Sequence, residues 1–180
     1  EHLHYYIPDR YDEGYGITPT GVAHAASLGV SLIISVDTGI KAVKEIAYAQ
    51  ERGIDFIVCD HHTPDETLPS ALAILNPKRR DNRYPFTELS GCGVAFKLVQ
   101  GLAQHRGLPF ETLLPLLELL VLSIAQDRVS ILGENRIFTY HGLQQINTRP
   151  SVAITYLMRL GKIQPGRVDM ASIYYELGPR

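Results

Sequence analysis

Two apolar segments separated by one amphipathic segment constrain the fold more than any other feature of the sequence. Residues 31–37 ("SLIISVD") and 54–60 ("IDFIVCD") have the continuous apolar character of strands that are covered on both faces in a parallel sheet. Between them, residues 40–53 ("IKAVKEIAYAQERG") carry apolar side chains at helical spacing, and Gly53 predicts the end of that helix. Two parallel strands joined by a helix form a right-handed βαβ unit. The pattern therefore predicts an α/β fold.

Further elements are predicted on both sides of this unit. Residues 3–9 ("LHYYIPD") predict a short strand, and Thr18 is expected to cap a helix that runs to Gly29. Residues 71–77 ("ALAILNP") predict a third strand of the sheet. The remaining sequence has helical periodicity, with long segments that begin at "GVAF", "FETL" and "ENRI" and two shorter helices between Ser151 and Leu177. We expect a parallel sheet with flanking helices, followed by a mostly helical region.

Composition limits the classes of function. With 180 residues, of which 45% are hydrophobic and 20% charged, the chain is long enough to bury one solid core. A net charge of −2 argues against a general nucleic-acid coat, so any nucleic-acid contact must be local. Cys59 and Cys92 lack CxxC spacing and fit a reducing compartment. No segment has the length of a membrane span or the pattern of a secretory signal. These features predict a cytoplasmic protein without a membrane partner.

Acids and histidines follow the two central strands. Asp37 ends the first strand, and Asp60, His61 and His62 end the second. The carboxyl ends of parallel strands lie at one edge of a sheet, where open α/β folds bind their ligands. Carboxylates with imidazoles and no suitably placed thiolate suit Mn²⁺ or Mg²⁺, with Mn²⁺ preferred here. A carboxylate such as Asp37 can bridge two ions about 3.5–4 Å apart, an arrangement suited to phosphoester hydrolysis.

Each of these residues also has a simpler structural interpretation. Asp37 alone could cap the following helix, and adjacent histidines at a strand end are commonly surface loop residues. Asp127, after a long apolar helix, could simply cap the next turn. Cys59 is expected to be a small buried apolar residue, and Cys92 is not expected to act as a nucleophile. The βαβ unit couples Asp37 to the histidines, and this coupling favours a role as metal ligands.

A basic segment, "PKRRDNRYPF", follows the third strand. Charged segments are most often solvated, but a basic loop with aromatic residues beside a metal crevice can follow a phosphate backbone and stack a base. We predict that this segment contributes to single-strand binding through Lys78, Arg79, Arg80 and Arg83.

Four separated motifs resemble a known family. The segments "SVDTG", "VCDHH", "LSGCGVAFKL" and "SIAQDRVSILGENRI", in this order, resemble successive motifs of the DHH phosphoesterases, and most closely those of the branch that degrades single-stranded DNA. The resemblance covers essentially the whole chain, including "YYIPDRYDEGYG" near its start and "ELGPR" at its end. It implies a metal-dependent 5′-to-3′ exonuclease for single-stranded DNA that acts in repair and recombination, with other DNA-repair proteins as candidate partners.

The resemblance also implies a role for individual residues. Asp37 matches the carboxylate that bridges two Mn²⁺ (or Mg²⁺) ions, and His61 and Asp127 match further metal ligands. Asp60 would lie beside or behind the metals, and His62 would face the scissile phosphate. Backbone N–H groups can approach an anion closely in a glycine-containing loop near the substrate. The matching loop residues are Ser90, Gly91 and Gly93.

The chain departs from the family pattern at its limits and around Asp127. A motif of two aspartates flanking one residue and followed by glycine would lie upstream of residue 1, and the family continues past "GPR" into a second domain. The resemblance therefore implies a partial catalytic domain at 1–148, a helical connector at 149–180 and little activity of the fragment alone. Around Asp127 the family prefers alanine, an apolar residue and proline at the positions of Gln126, Arg128 and Ser130.

Three questions stay open at this point. Arg128 could pair with Asp127 and compete with a metal, or it could bind a substrate phosphate. A DHH enzyme that hydrolyses short oligonucleotides or cyclic dinucleotides would share these motifs. A non-catalytic nucleic-acid-binding protein is the third alternative.

Overall fold

The computed structural model describes residues 4–179. The chain folds into two compact units, Glu1–Asn82 and Arg83–Arg180. The first unit contains the sheet, and the second is helical. This arrangement confirms the predicted fold class of a parallel sheet with flanking helices followed by a helical region. Among the helices described, none combines the length and the apolar character that crossing a membrane requires.

The sheet of the first unit has three parallel strands in the order β1-β2-β3. They are β1 (Leu32–Val36), β2 (Asp55–Cys59) and β3 (Ala73–Leu75). The register pairs Val36 with Cys59 and Cys59 with Leu75, so the three strands end at the same level. The predictions of strands within residues 31–37, 54–60 and 71–77 are therefore confirmed. β-Branched and apolar residues favour strands because they pack well on a pleated surface.

Helices α1 (Pro19–Ser27) and α2 (Val43–Gln50) belong to the same unit as the sheet. Thr18 caps α1 as predicted, because its hydroxyl accepts a hydrogen bond from the Gly21 N–H at 3.0 Å. One hydrophobic cluster joins the helices to a face of the sheet, and its buried members are Val22, Ile46, Ala49, Ile54, Phe56 and Val58. Burial of these side chains fixes the register of the strands.

The other face of β1 is not covered as the continuous apolar pattern predicts. Leu32, Ile34 and Val36 are 43%, 48% and 48% exposed, whereas Cys59, the partner of Val36 on the central strand, is buried. In the described sheet β1 is an outer strand, and the helices of the first unit pack on the opposite face. The apolar pattern therefore predicts the strand correctly, but it does not predict that one face of the strand is exposed.

The predicted strand at residues 3–9 is wrong for its described part, residues 4–9, and Leu3 lies outside the described residues. Local contacts hold this segment instead. The Tyr6 hydroxyl donates a hydrogen bond to the Glu13 carboxylate, and the Asp9 N–H donates to the other Glu13 oxygen at 2.9 Å. These bonds hold the segment against the loop of residues 11–16 ("YDEGYG"). In addition, Pro8 offers no N–H for a strand partner.

The second unit consists of helices. They are α3 (Gly91–His105), a 3-10 helix (Phe110–Leu116), α4 (Leu117–Gln126), α5 (Gly133–Thr148), α6 (Val152–Gly161), α7 (Met170–Ser172) and a π-helical turn (Ile173–Leu177). The segment from Phe110 to Gln126 therefore divides into two helices. Pro115 lies in the 3-10 portion, and a proline ring disfavours a continuous α-helix because it removes one N–H and crowds the preceding turn.

Close packing of α4 against α5 organises this unit. A Cβ atom at Gly142 would lie 2.5 Å from the Leu117 carbonyl oxygen, so only glycine permits this approach of the two helices. The cluster around the contact contains the buried residues Val121, Ala125, Ile146, Ile154, Met158, Val168, Ile173 and Leu177. This core fixes the end of α4, where Asp127 follows.

Candidate metal centre

The strand register brings Asp37 beside the end of β2. The Asp37 N–H donates to the Cys59 carbonyl oxygen at 2.9 Å and extends the β1–β2 ladder by one step. Asp37 itself has φ of +61°, a left-handed conformation that is uncommon for residues other than glycine. Gly39 follows with φ of +114°, and a Cβ there would lie 2.6 Å from the Ser35 hydroxyl. The backbone therefore turns sharply at the point where a ligand is predicted.

Three predicted site residues meet at this edge. Asp37, His61 and His62 each offer a ligand atom, and these atoms lie within 4.8 Å of one another. The Asp37 carboxylate oxygen is 3.1 Å from Nε2 of His61. The His61 side chain is 12% exposed, compared with 47% for Asp37 and 56% for His62. The group is therefore anchored on one side and open to solvent on the other.

Asp60 is buried behind this group and supports it. One carboxylate oxygen accepts a hydrogen bond from the Ile40 N–H at 2.9 Å. The other accepts from the N–H groups of His61 at 2.7 Å and His62 at 3.1 Å, and contacts Nδ1 of His62 at 2.6 Å. Burial raises the pKa of this carboxyl, but the hydrogen bonds from Ile40 and His62 outweigh burial and hold the pKa below its ordinary value.

The contact with Asp60 determines the state of the His62 ring. An ionised carboxylate can only accept, so the 2.6 Å contact requires a proton on Nδ1 of His62. In the neutral ring this leaves the lone pair on Nε2. Asp60 thereby orients His62 as a carboxylate commonly orients a metal-binding or catalytic histidine.

A cavity of about 540 Å³ adjoins the group. Asp37, Asp60 and His62 line one part of it, and Tyr15 and Lys41 line another. Sequence reasoning did not single out these last two residues. Tyr15 is 81% exposed, and the Arg10 guanidinium lies 5.2 Å from the centre of its ring. The sequence signal that could have drawn attention to Tyr15 is its position between two glycines.

Asp127 belongs to the second unit and directly follows α4. Its carboxylate accepts a hydrogen bond from the Ser123 hydroxyl at 3.1 Å, and its side chain is exposed. The Arg128 guanidinium lies over the Tyr174 ring, 5.0 Å from the ring centre. Within residues 4–179 no ion pair joins Arg128 to Asp127, so the arginine does not occupy that carboxylate.

The predicted substrate loop is the first turn of α3. Ser90 is fully buried, and its hydroxyl accepts a hydrogen bond from the Gly93 N–H at 3.1 Å. Gly91 and Gly93 are also buried and lie within the helix. A helix N-terminus carries partial positive charge, which favours a nearby anion. Substrate binding by these three residues stays a prediction.

The basic segment contains one cation with a structural role. Arg79 donates to the Ile74 carbonyl oxygen at 2.7 Å and forms an ion pair with Asp81 at 2.5 Å. Lys78, Arg79 and Arg80 line an open cavity of about 900 Å³. Arg83 is exposed. Three of the four predicted cations therefore remain candidates for binding a phosphate backbone.

Tyr84, one of the two aromatic residues of this segment, also has a structural partner. The Tyr84 hydroxyl donates to the Glu134 carboxylate at 2.5 Å, and Lys97 lies 5.7 Å from the Tyr84 ring centre. Partial burial and the neighbouring Glu134 raise the pKa of the Tyr84 hydroxyl above its ordinary value. Tyr84 therefore has a structural role within the second unit.

Comparison with known proteins identifies similar sequences and folds. Residues 1–124 match the DHH family, N-terminal domain. The chain is 39% identical over 176 residues to the single-stranded-DNA-specific exonuclease RecJ of Bacillus subtilis, covering 98% of this chain and 22% of that protein. It is 35% identical over 192 residues to RecJ of Salmonella typhimurium, covering 100% of this chain and 33% of that protein. The chain thus spans about a third or less of the length of these relatives.

A solved structure supports the same assignment. The fold is similar to the crystal structure of an exonuclease RecJ bound to manganese, with a TM-score of 0.83 and 29% sequence identity. The match covers 98% of this chain and 43% of that chain. Both units of the present chain therefore have counterparts in one solved protein.

Proposed function

Since the chain belongs to the DHH family, we propose that it is part of the catalytic domain of a metal-dependent phosphodiesterase, a RecJ-like exonuclease that degrades single-stranded DNA from its 5′ end. The relatives named RecJ are single-stranded-DNA-specific exonucleases, and they match this chain along its whole length. A role in DNA repair and recombination follows from the same relationship. The cytoplasmic location, the domain limits 1–148 and 149–180, and further repair partners stay predictions.

One observation carries the proposal: an acid from β1 and two histidines after β2 place three ligand atoms within 4.8 Å of one another. The parallel register of β1 and β2 brings these polar groups together at a partly exposed edge. The left-handed conformation of Asp37 is unfavourable for a non-glycine residue, and such backbone strain is concentrated at functional sites.

The donor set fits Mn²⁺ or Mg²⁺. A carboxylate and imidazoles are hard or borderline ligands, and Cys59, the nearest thiol in sequence, is fully buried. Asp37 and His61 would hold the metal, and the resemblance to the family implies Asp127 as a further carboxylate ligand. When bound, the metal would supply a Lewis acid that activates water and stabilises charge on the phosphate. Two ions are proposed for the complete protein, with Mn²⁺ preferred.

The remaining residues would position the reacting groups. Asp60 fixes the orientation of the His62 ring through the 2.6 Å contact at Nδ1, and the opposite edge of that ring would face the scissile phosphate. The backbone N–H groups of His61 and His62 are bound by the same carboxylate, which limits motion of the backbone that carries both rings. The N-terminus of α3, with Ser90, Gly91 and Gly93, would lie near the substrate. Lys78, Arg80 and Arg83 would contact the phosphate backbone.

The test of this function uses the complete open reading frame that encodes the chain. With Mn²⁺, the wild-type protein is expected to release nucleotides from 5′-labelled single-stranded DNA faster than it hydrolyses dinucleotides or cyclic dinucleotides. Asp37→Asn is expected to lower the rate at least about 100-fold, because an amide is a poorer cation ligand than a carboxylate. Measured release of labelled product over time gives both rates.

A matched control lies at the opposite end of the same sheet. Asp55 begins β2 and is exposed, so Asp55→Asn changes the same charge away from the ligand group and is expected to leave the rate unchanged. Wild-type turnover in Asp37→Asn would remove Asp37 from the mechanism. Preference for dinucleotides over long strands would favour a short-oligonucleotide phosphodiesterase, and strand binding without hydrolysis would favour a non-catalytic protein.

A further inference from the structure

A groove in the second unit lies beside Asp127 and has no part in the proposed metal chemistry. It has a volume of about 390 Å³ and is open to solvent. Its walls combine apolar side chains with two tyrosines and one arginine. The residues that line it include Ile124, Arg128, Ile131, Met170, Tyr174 and Tyr175. Such a mixture of apolar walls and a few polar groups is typical of small-ligand sites.

Arg128 is held at the rim of the groove by an unusual backbone. It follows Asp127 directly, with φ of +53°, a conformation that disfavours side chains other than glycine. Its side chain is exposed and lies over the Tyr174 ring at 5.0 Å from the ring centre. The guanidinium thus combines an aromatic contact with donors that remain open to an anion.

The tyrosines are fixed by contacts within the same unit. The Gln126 side-chain amide donates to the carbonyl oxygens of Ile173 at 3.3 Å and Tyr174 at 3.4 Å. A Cβ atom at Gly178 would overlap the Gln126 side chain, so glycine permits this contact. The Tyr174 and Tyr175 rings meet edge-to-face at 4.7 Å, and Tyr175 is 73% exposed. The aromatic surface is therefore held in place and remains accessible.

We propose that this groove binds one nucleotide of single-stranded DNA, with its base against Tyr174 and Tyr175 and its phosphate at Arg128. Aromatic rings that stack unpaired bases, together with a cation for the backbone, are the common elements of single-strand binding. Because Arg128 adjoins Asp127, the bound nucleotide would lie next to a candidate metal ligand. The proposal rests on the proposed function and assigns a purpose to the residues that flank Asp127.

Gln126 and Arg128 would both contribute to nucleotide binding in the groove. Gln126 is a positioning residue that holds the tyrosine-bearing turn, and Arg128 supplies the charge. Both stand where the resemblance favours alanine and an apolar residue. An alternative occupant is an apolar side chain from another polypeptide segment, which would not need the guanidinium.

Binding is measured without metal so that it does not depend on catalysis. The complete protein is titrated into fluorescein-labelled oligothymidylate in chelator-treated buffer, and anisotropy gives the dissociation constant. Arg128→Gly suits the positive φ and removes only the side chain, and Tyr175→Ala removes an exposed ring. Each is expected to weaken binding about fivefold or more. Arg136→Ala, an exposed arginine on α5, is the charge control and is expected to bind as the wild type does.

An abasic strand of equal length separates stacking from charge. Tyr175→Ala is expected to weaken binding of oligothymidylate much more than binding of the abasic strand, whereas Arg128→Gly is expected to weaken both. Wild-type affinity in both variants, or no strand binding by the wild-type protein, would overturn the proposal. A protein that binds the strand through this groove but never hydrolyses it would contradict the proposed function alone.

Discussion

Two regions supply the candidate metal ligands, and the fold holds them in different ways. At the strand ends of the first unit, Asp37 contacts Nε2 of His61 at 3.1 Å, and hydrogen bonds join His61 and His62 to the buried Asp60. At the end of α4, Asp127 is exposed and receives one side-chain hydrogen bond, from Ser123. A β-sheet register fixes several ligands at once, whereas a helix end offers one ligand with little support.

This difference indicates which candidate ligands are held in position before a metal binds. The strand-end group has its geometry before any metal binds, because its backbone N–H groups are tied to Asp60. The carboxylate at the helix end gains its place from the helix alone. We therefore expect changes at the strand ends to have larger effects than changes at the helix end.

The largest combined loss of activity and stability predicted by this comparison is for Asp60→Asn. The substitution removes one acceptor oxygen from a buried carboxylate that binds Ile40, His61 and His62. Metal-dependent hydrolysis is expected to fall about 100-fold, and the free energy of unfolding by about 1–3 kcal/mol. Nuclease assays and urea unfolding measure the two losses. Asp55→Asn, an exposed acid at the opposite end of β2, is the control, and an equal loss in that variant would contradict the supporting role of Asp60.

A smaller effect is expected for Asp127→Asn. The amide retains one oxygen ligand, and the side chain is exposed, so we expect a loss of activity of about tenfold and a change in stability below about 0.5 kcal/mol. Calorimetric titration with Mn²⁺ should show a smaller loss of affinity than in Asp37→Asn. If Asp127→Asn equals Asp37→Asn in both measurements, the two regions contribute equally and the comparison fails.

The smallest effect is expected for the basic segment. Replacing Lys78, Arg80 and Arg83 by alanine should weaken the affinity for single-stranded DNA a few-fold. The slope of the logarithm of the binding constant against the logarithm of salt concentration should become shallower by about 0.7 for each lost phosphate contact. Arg79→Ala should instead lower stability, because Arg79 binds the Ile74 carbonyl oxygen and Asp81. Titrations at several salt concentrations distinguish the two cases. Unchanged, salt-independent affinity in the triple variant would exclude this segment from the binding surface.

Much of the fold could be predicted because its signals are local. The apolar runs at β1 and β2, the helix between them and the Thr18 cap all reflect periodicity and capping preferences within a few residues. The first strand prediction failed for its described residues because Tyr6 and Glu13 bind each other, a side-chain contact that no periodicity reports. The exposure of Leu32 likewise depends on which face the helices cover.

The candidate site was predictable only in part. Parallel strands end at one edge, so the sequence could bring Asp37 and His61 together through the βαβ unit. It could not separate ligand from support, because Asp60 and His61 are adjacent residues of the same polar motif. Burial distinguishes them, since Asp60 is 1% exposed and accepts several hydrogen bonds. The positions of Tyr15 in the cavity and of Tyr174 under Arg128 also depend on tertiary packing.

By itself, the sequence determined the α/β class, the parallel strand pair and the edge at which acids and histidines gather, because side-chain periodicity and chain connectivity act locally. The tertiary structure decided that Asp60 lies behind the candidate metal ligands, that Arg79 and Tyr84 have structural partners, and that Arg128 lies over Tyr174. These outcomes depend on which surfaces become buried against each other. Burial is a property of the packed chain, and a list of residues does not contain it.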